Sequence, residues 1–168
     1  MSGPQAGNPG FPGDYFAKRF ARRGDAVRKY REVAEELHKS LISDIRSGRK
    51  RAALIHFRPF ADYCLNCLFL AYAATEVELV RQKLPKNLVQ DAKRIIGQWG
   101  IPVDNKDIKK LEKTYGDLSQ AVHGSRGAVK GFEPLRADLI PSVQRWAEML
   151  LQWVEEADRR LNGHRGDL

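Results

Sequence analysis

Three side chains in the last third of the chain could do chemistry together: Tyr115, Ser119 and His123, spaced four and four apart. On a helix that spacing puts all three on one face. Gly124 then stops the helix, and a glycine-rich run carrying Arg126 and Lys130 follows. An imidazole at a helix end beside a flexible basic loop suits proton transfer or phosphate contact. That chemistry would draw on the His123 imidazole, the Arg126 or Lys130 cation and the Tyr115 or Ser119 hydroxyls. The competing reading is that Ser119 and His123 hydrogen-bond within a helical core.

A second kind of site is written in charge. The chain carries a formal net charge of +8, and it is uneven, because residues 1–51 hold 12 Lys and Arg against 6 Asp and Glu. Lys18, Arg19, Arg22, Arg23, Arg28, Lys29 and Arg31 gather around the start of the first expected helix, and Arg46, Arg49, Lys50 and Arg51 around its end. Such clusters raise the local positive potential and favour a polyanion, chiefly through phosphate contacts. A solvated basic face is the alternative, and charge alone does not separate RNA, DNA and an acidic protein.

Other chemistries lack their residues. No phosphate loop with a Lys-Ser or Lys-Thr ending, no GxGxxG and no HExxH occurs. Glu35-x-x-His38 is a single ExxH pair without the second pair that a di-iron bundle needs, and we read it as lying on an exposed, charged face. His56 and His164 stand alone in the sequence. Cys64 and Cys67 form one C-x-x-C inside an apolar stretch, so they read as small core residues and not as zinc ligands or a redox pair. No metal and no cofactor is expected.

The elements that must position these groups read as helices throughout. Residues 1–24 are expected to be a flexible Gly/Pro-rich start followed by a basic-aromatic piece with Tyr15, Phe16 and Phe20. Residues 25–163 form the helical domain, and 164–168 a frayed end. Val27, Tyr30, Ala34, Leu37, Leu41 and Ile45 predict a helix over about 25–47 that Gly48 ends. A long apolar helix over about 52–83 should be the centre of the core, with Pro59 kinking it or setting off a first turn. A third covers about 86–99, closed by Gly100 and Pro102. A fourth is capped by Asp104 or Asn105 and carries Ile108, Leu111, Tyr115, Leu118 and Val122. The fifth runs from near Pro134 to about Leu161, with Pro141 bending it and Leu139, Val143, Trp146, Leu150, Trp153 and Ala157 as its apolar stripe. The expected fold is all-α, an antiparallel bundle of four to five helices. No apolar run approaches the roughly 20 residues of a membrane span, and a cytoplasmic location is expected.

The stretch Tyr115-x-x-Leu118-Ser119-x-x-Val122-His123-Gly124, late in an all-helical chain, resembles the histidine motif of HEPN-like domains. The resemblance implies a helical bundle of the kind found in prokaryotic defence and toxin systems and in RNA processing. Active members place an arginine five to seven positions before the histidine, pair the site across a dimer interface and cleave RNA without metal. Here those positions hold Leu118, Asp117 and Gly116, so the arginine is missing. His123 carries over as the motif histidine, and Arg126 could replace the arginine only from the other side.

These readings converge on a helical accessory module that binds nucleic acid, RNA before DNA, or a nucleoprotein, in an antiviral-defence or mobile-element setting. It would work as a homodimer or as a subunit of a larger assembly, off the membrane, and enzymatic activity is not expected. The alternatives are a metal-independent endoribonuclease using His123 and a protein-interaction scaffold.

Overall fold

The computed structural model of the chain describes residues 23–72, 85–122 and 137–163. Five α-helices account for nearly all of them: α1 (Arg23–Arg46), α2 (Lys50–Tyr72), α3 (Pro85–Gln98), α4 (Asn105–Val122) and α5 (Ile140–Asn162). A 3-10 turn, Ala137–Leu139, leads into α5. Among the described residues there is no strand, so the fold is an all-α helical bundle. No described helix is long and apolar enough to cross a membrane.

α2 is the centre, in contact with every other helix. Its composition dictates this. Ala53, Leu54, Phe57, Phe60, Ala61, Cys64, Leu65, Cys67 and Leu68 are all buried and lie on most sides of the helix. A helix apolar nearly all round can be satisfied only by neighbours on several faces. It runs unbroken through Pro59.

α1 offers a narrower stripe, with Val27, Ala34 and Leu41 fully buried and Tyr30, Leu37 and Ile45 packed at its margins. It lies antiparallel to α2: Cys67 Sγ sits 3.6 Å from the Val27 carbonyl, Tyr30 packs on Tyr63, and Asp44 meets His56. α5 closes the other side of α1, also antiparallel, through Asn162 on Gly24 and Asp158 on Arg31. Trp146, Leu150 and Trp153 fill the interior, and the Trp146 ring packs on Phe57 of α2.

The helix ends follow their local chemistry. At the end of α1, Gly48 takes φ 74°, the Gly48 amide donates to the Ile45 carbonyl at 3.1 Å, and the Arg49 amide to that of Asp44 at 2.9 Å. This is a Schellman cap, which needs a left-handed residue and therefore favours glycine. Gly100, at φ 76°, closes α3 in the same way with bonds to Gly97 and Ile96. Asp104 caps α4, its Oδ1 accepting the Lys106 amide at 2.8 Å. Pro141 sits in the first turn of α5, where its missing amide costs nothing, so it starts that helix and does not bend it.

Two anchors tie the second pair of helices to α5. Asp107 of α4 accepts the Trp146 indole N–H at 2.8 Å and an Arg145 guanidinium N–H at 2.7 Å. Arg160 lies over the Trp99 ring and donates to the Trp99 carbonyl at 3.2 Å.

Candidate functional site: the turn between α1 and α2

The turn from α1 to α2 gathers Arg46, Arg49, Lys50 and Arg51, all exposed, within six positions. Beneath them lies one carboxylate. The Asp44 side chain is only 8% exposed; its Oδ1 accepts Arg49 Nε at 2.9 Å, and its Oδ2 lies 2.5 Å from His56 Nδ1. Burial works against the Asp44 charge, but the bonds to Arg49 and His56 outweigh it and hold the carboxyl below its usual range. An ionised carboxylate only accepts, so the proton between the pair belongs to Nδ1 of the imidazole. The His56 side chain remains 49% exposed. The Schellman cap joins Asp44 and Arg49 a second time through their backbones. The first turn of α2 contains no acidic residue, so the positive end of its dipole adds to the same field.

A second polar cluster lies between α2 and α4. Arg58, its side chain 6% exposed, stacks on the face of Tyr115 with its guanidinium carbon 3.4 Å from the ring centroid. Its Nη1 donates to Asp62 Oδ1 at 2.5 Å, and the Tyr115 hydroxyl donates to the same oxygen. Burial, then the bond to Asp62, pushes the phenol well above its usual value. Tyr115 is a neutral donor here, and it has no capacity to act as a base. Sequence reading predicted Tyr115 on one polar face with Ser119 and His123. The described contact is with Asp62, which periodicity within α4 does not reveal.

Ser119 lies one turn beyond Tyr115 and is half-buried. His123, Arg126 and Lys130 lie outside the described residues, as do Lys18, Arg19 and Arg22. Of the remaining basic positions, Arg23 is half-buried, and Arg28 and Lys29 are exposed near the start of α1. Arg31 is committed to the fold: it holds Glu35 at 2.8 Å and Asp158 of α5 at 2.9 Å. Burial opposes its charge, but those two carboxylates outweigh burial and raise its pKa.

The basic residues of α1 therefore do not form one surface. Arg28 and Arg46 are five helical turns apart, about 27 Å along the axis, and the face between them carries Glu32 and Glu35 as well as Lys39. Over α1 as a whole, six basic residues meet five acidic ones. The turn that follows adds Arg49, Lys50 and Arg51 in succession with no acidic residue among them.

Two histidines also differ from expectation. Glu35 and His38 are half-buried, not solvated: Glu35 bonds Arg31, and the His38 ring packs on Phe60 with Nε2 buried and without a hydrogen-bond partner. Burial lowers the pKa of His38, against the pull of Glu148 on α5. His56 does not stand alone, because the hairpin brings Asp44 to it. Cys64 and Cys67 are core residues, both buried, and burial pushes the Cys67 thiol up to about 12. Among the described residues no group of three His, Cys, Asp or Glu side chains converges as metal ligands.

No family model, curated protein or solved structure matches the chain.

Proposed function

We propose that this chain is a helical module that binds nucleic acid, or a nucleoprotein through its nucleic acid, with the turn between α1 and α2 as its contact surface. The carrying observation is the grouping of Arg46, Arg49, Lys50 and Arg51 at one exposed end, above a carboxylate already engaged by two of its neighbours. Cations presented this way displace the counterions condensed on a phosphate backbone, and that release drives association. The HEPN-like character, and with it a role in prokaryotic defence or RNA processing, rests on the Tyr115–Gly124 stretch and is part of the same proposal.

The test is fluorescence anisotropy with a labelled 20-nucleotide RNA over a salt series, for the full chain and for Arg46→Ala/Lys50→Ala. Each lost phosphate contact lowers the slope of log K against log salt by about 0.7 for a single strand. The double variant is therefore expected to lose about 1.4. Equal affinity and equal slope in the two proteins would remove the turn from the interface. Metal-free cleavage of the RNA that disappears in His123→Ala would make the chain a ribonuclease instead.

A further inference from the structure

We propose that Arg49 and His56, held side by side by the Asp44 carboxylate, form a seat for one phosphate group of the nucleic-acid backbone. The seat deepens the nucleic-acid reading of the turn and rests on it. Three observations carry it.

The first is orientation. Asp44 holds Arg49 by Nε and His56 by Nδ1, using a different oxygen for each. Among the described contacts Arg49 makes no other side-chain bond, so both Nη groups, with four N–H donors, are available. The imidazole likewise has its Nε2 edge left over, on a side chain half open to water. The carboxylate thus fixes the inner edge of each group and leaves the outer edge to a ligand, an arrangement that lowers the ordering cost of binding.

The second is rigidity. Arg49 is tied to Asp44 through the backbone bond of the Schellman cap as well as through its side chain. His56 stands in the second turn of α2, within a helix whose next turn is buried core. The helix thus fixes His56, and the cap fixes Arg49 in the turn.

The third is charge. The charged groups described as facing His56 are Asp44 of α1 and, across that carboxylate, Arg49 of the turn. One turn away on α2 stand Ala52, Ala53, Pro59 and Phe60, all uncharged. Histidine is the side chain that changes charge between about pH 5 and 8. A protonated ring offers Nε2–H as a charge-assisted donor to a phosphate oxygen, whereas the neutral ring with its proton on Nδ1 presents a lone pair there and repels it. The two protonation states of an imidazole held this way therefore offer a phosphate oxygen opposite contacts at Nε2.

The decisive variant is Asp44→Asn. It raises the net charge of the chain by one, so a merely electrostatic patch would bind RNA more tightly. A seat built by Asp44 would bind it more weakly, because Arg49 and His56 lose their common anchor. The experiment measures anisotropy of the labelled 20-nucleotide RNA at pH 5.5 and 8.0, at one ionic strength. The proteins are the full chain, Asp44→Asn and His56→Gln, with thermal melts to establish that each is folded.

The unaltered chain is expected to bind roughly 3- to 10-fold tighter at pH 5.5, as one charge-assisted contact supplies. His56→Gln, a change at a half-exposed position, should abolish that difference. Asp44→Asn should weaken binding at both pH values. Binding with a flat pH profile, or tighter binding by Asp44→Asn, overturns the seat alone and leaves Asp44 as a brace of the turn. Absence of RNA binding at both pH values overturns the nucleic-acid reading and the seat with it.

Discussion

Removing Asp62 should harm this protein more than removing the arginine it pairs with. Arg58 is buried, with 6% of its side chain exposed, while Asp62 keeps 40%. Asp62→Ala leaves a guanidinium inside the bundle whose Nε already lacks a partner, with the neutral Tyr115 side chain against it and no counter-charge described there. Breaking a buried pair from this side costs about 3–5 kcal/mol, and the partial exposure of Asp62 places this pair near 3. Arg58→Met leaves a carboxylate that water can reach and that still accepts the Tyr115 hydroxyl. Its cost is the lost stacking on the ring, about 2 kcal/mol for a desolvated contact. In the double variant neither charge is stranded, so its cost falls below that of Asp62→Ala alone. For a chain of this size each kcal/mol moves the melting temperature by about 2–4 °C. Asp62→Ala should therefore melt roughly 6–12 °C lower. Urea denaturation followed by circular dichroism at 222 nm gives the three free energies. Equal losses for the two single variants, or additive losses in the double, would refute the claim that the burial of Arg58 sets the asymmetry.

Stability in acid should follow the carboxylates whose pKa lies below the ordinary 3.8 of Asp44 and Asp107 and 4.5 of Glu156. A depressed pKa stabilises above the unfolded value and is lost as pH falls through the folded one, so the contribution of these three carboxylates to the melting temperature should hold above about pH 5 and be lost below it. His38 works in a higher window: burial keeps it below 6.5, the unfolded chain takes up that proton first, and stability declines as pH falls from about 6.5. His38→Leu should flatten the melting temperature between pH 5 and 7 relative to the unaltered chain; an unchanged slope would contradict the burial of its ring. Cys64 and Cys67 should react with a thiol reagent at pH 8 only in denaturant, since burial raises both thiols; prompt reaction of the folded protein would refute this. Gly48→Ala should cost about 1–2 kcal/mol in urea denaturation, because alanine at φ 74° crowds its own backbone.

Much of this architecture can be read in one dimension because it depends on local spacing. The Val27, Ala34, Leu41 series and the Val143, Trp146, Leu150, Trp153 series name the buried faces of α1 and α5 directly. Gly48, Gly100 and Asp104 mark helix ends through backbone chemistry confined to a few residues. A hairpin that turns at Gly48 brings together positions at similar distances on either side, as it does for Val27 with Cys67 and Tyr30 with Tyr63. The Asp44–His56 pair departs from that register, four positions before Gly48 against eight after it, so the hairpin alone does not name it. What could not be read is the meeting of Arg58 with Tyr115. The two are 57 positions apart, and their contact depends on how α4 is set against α2, which no periodicity within either helix specifies. Arg58 itself, a cation in an apolar helix, was the unread signal, because a buried charge requires a partner.

Pro59 has no amide to offer the carbonyl of Ile55, so the hydrogen-bond ladder of α2 is one bond short where it passes that residue. The Ile55 side chain is exposed, which puts the vacant carbonyl on a face that water can reach. The stretch before Pro59 carries Lys50 and His56; the stretch after it carries the two thiols and most of the buried contacts. Amide hydrogen exchange should therefore divide α2 into two blocks, with 50–58 opening at lower free energy than 60–72. The helix at the centre of the bundle would then be two cooperative units in series, and the basic end could open locally while the core stays closed.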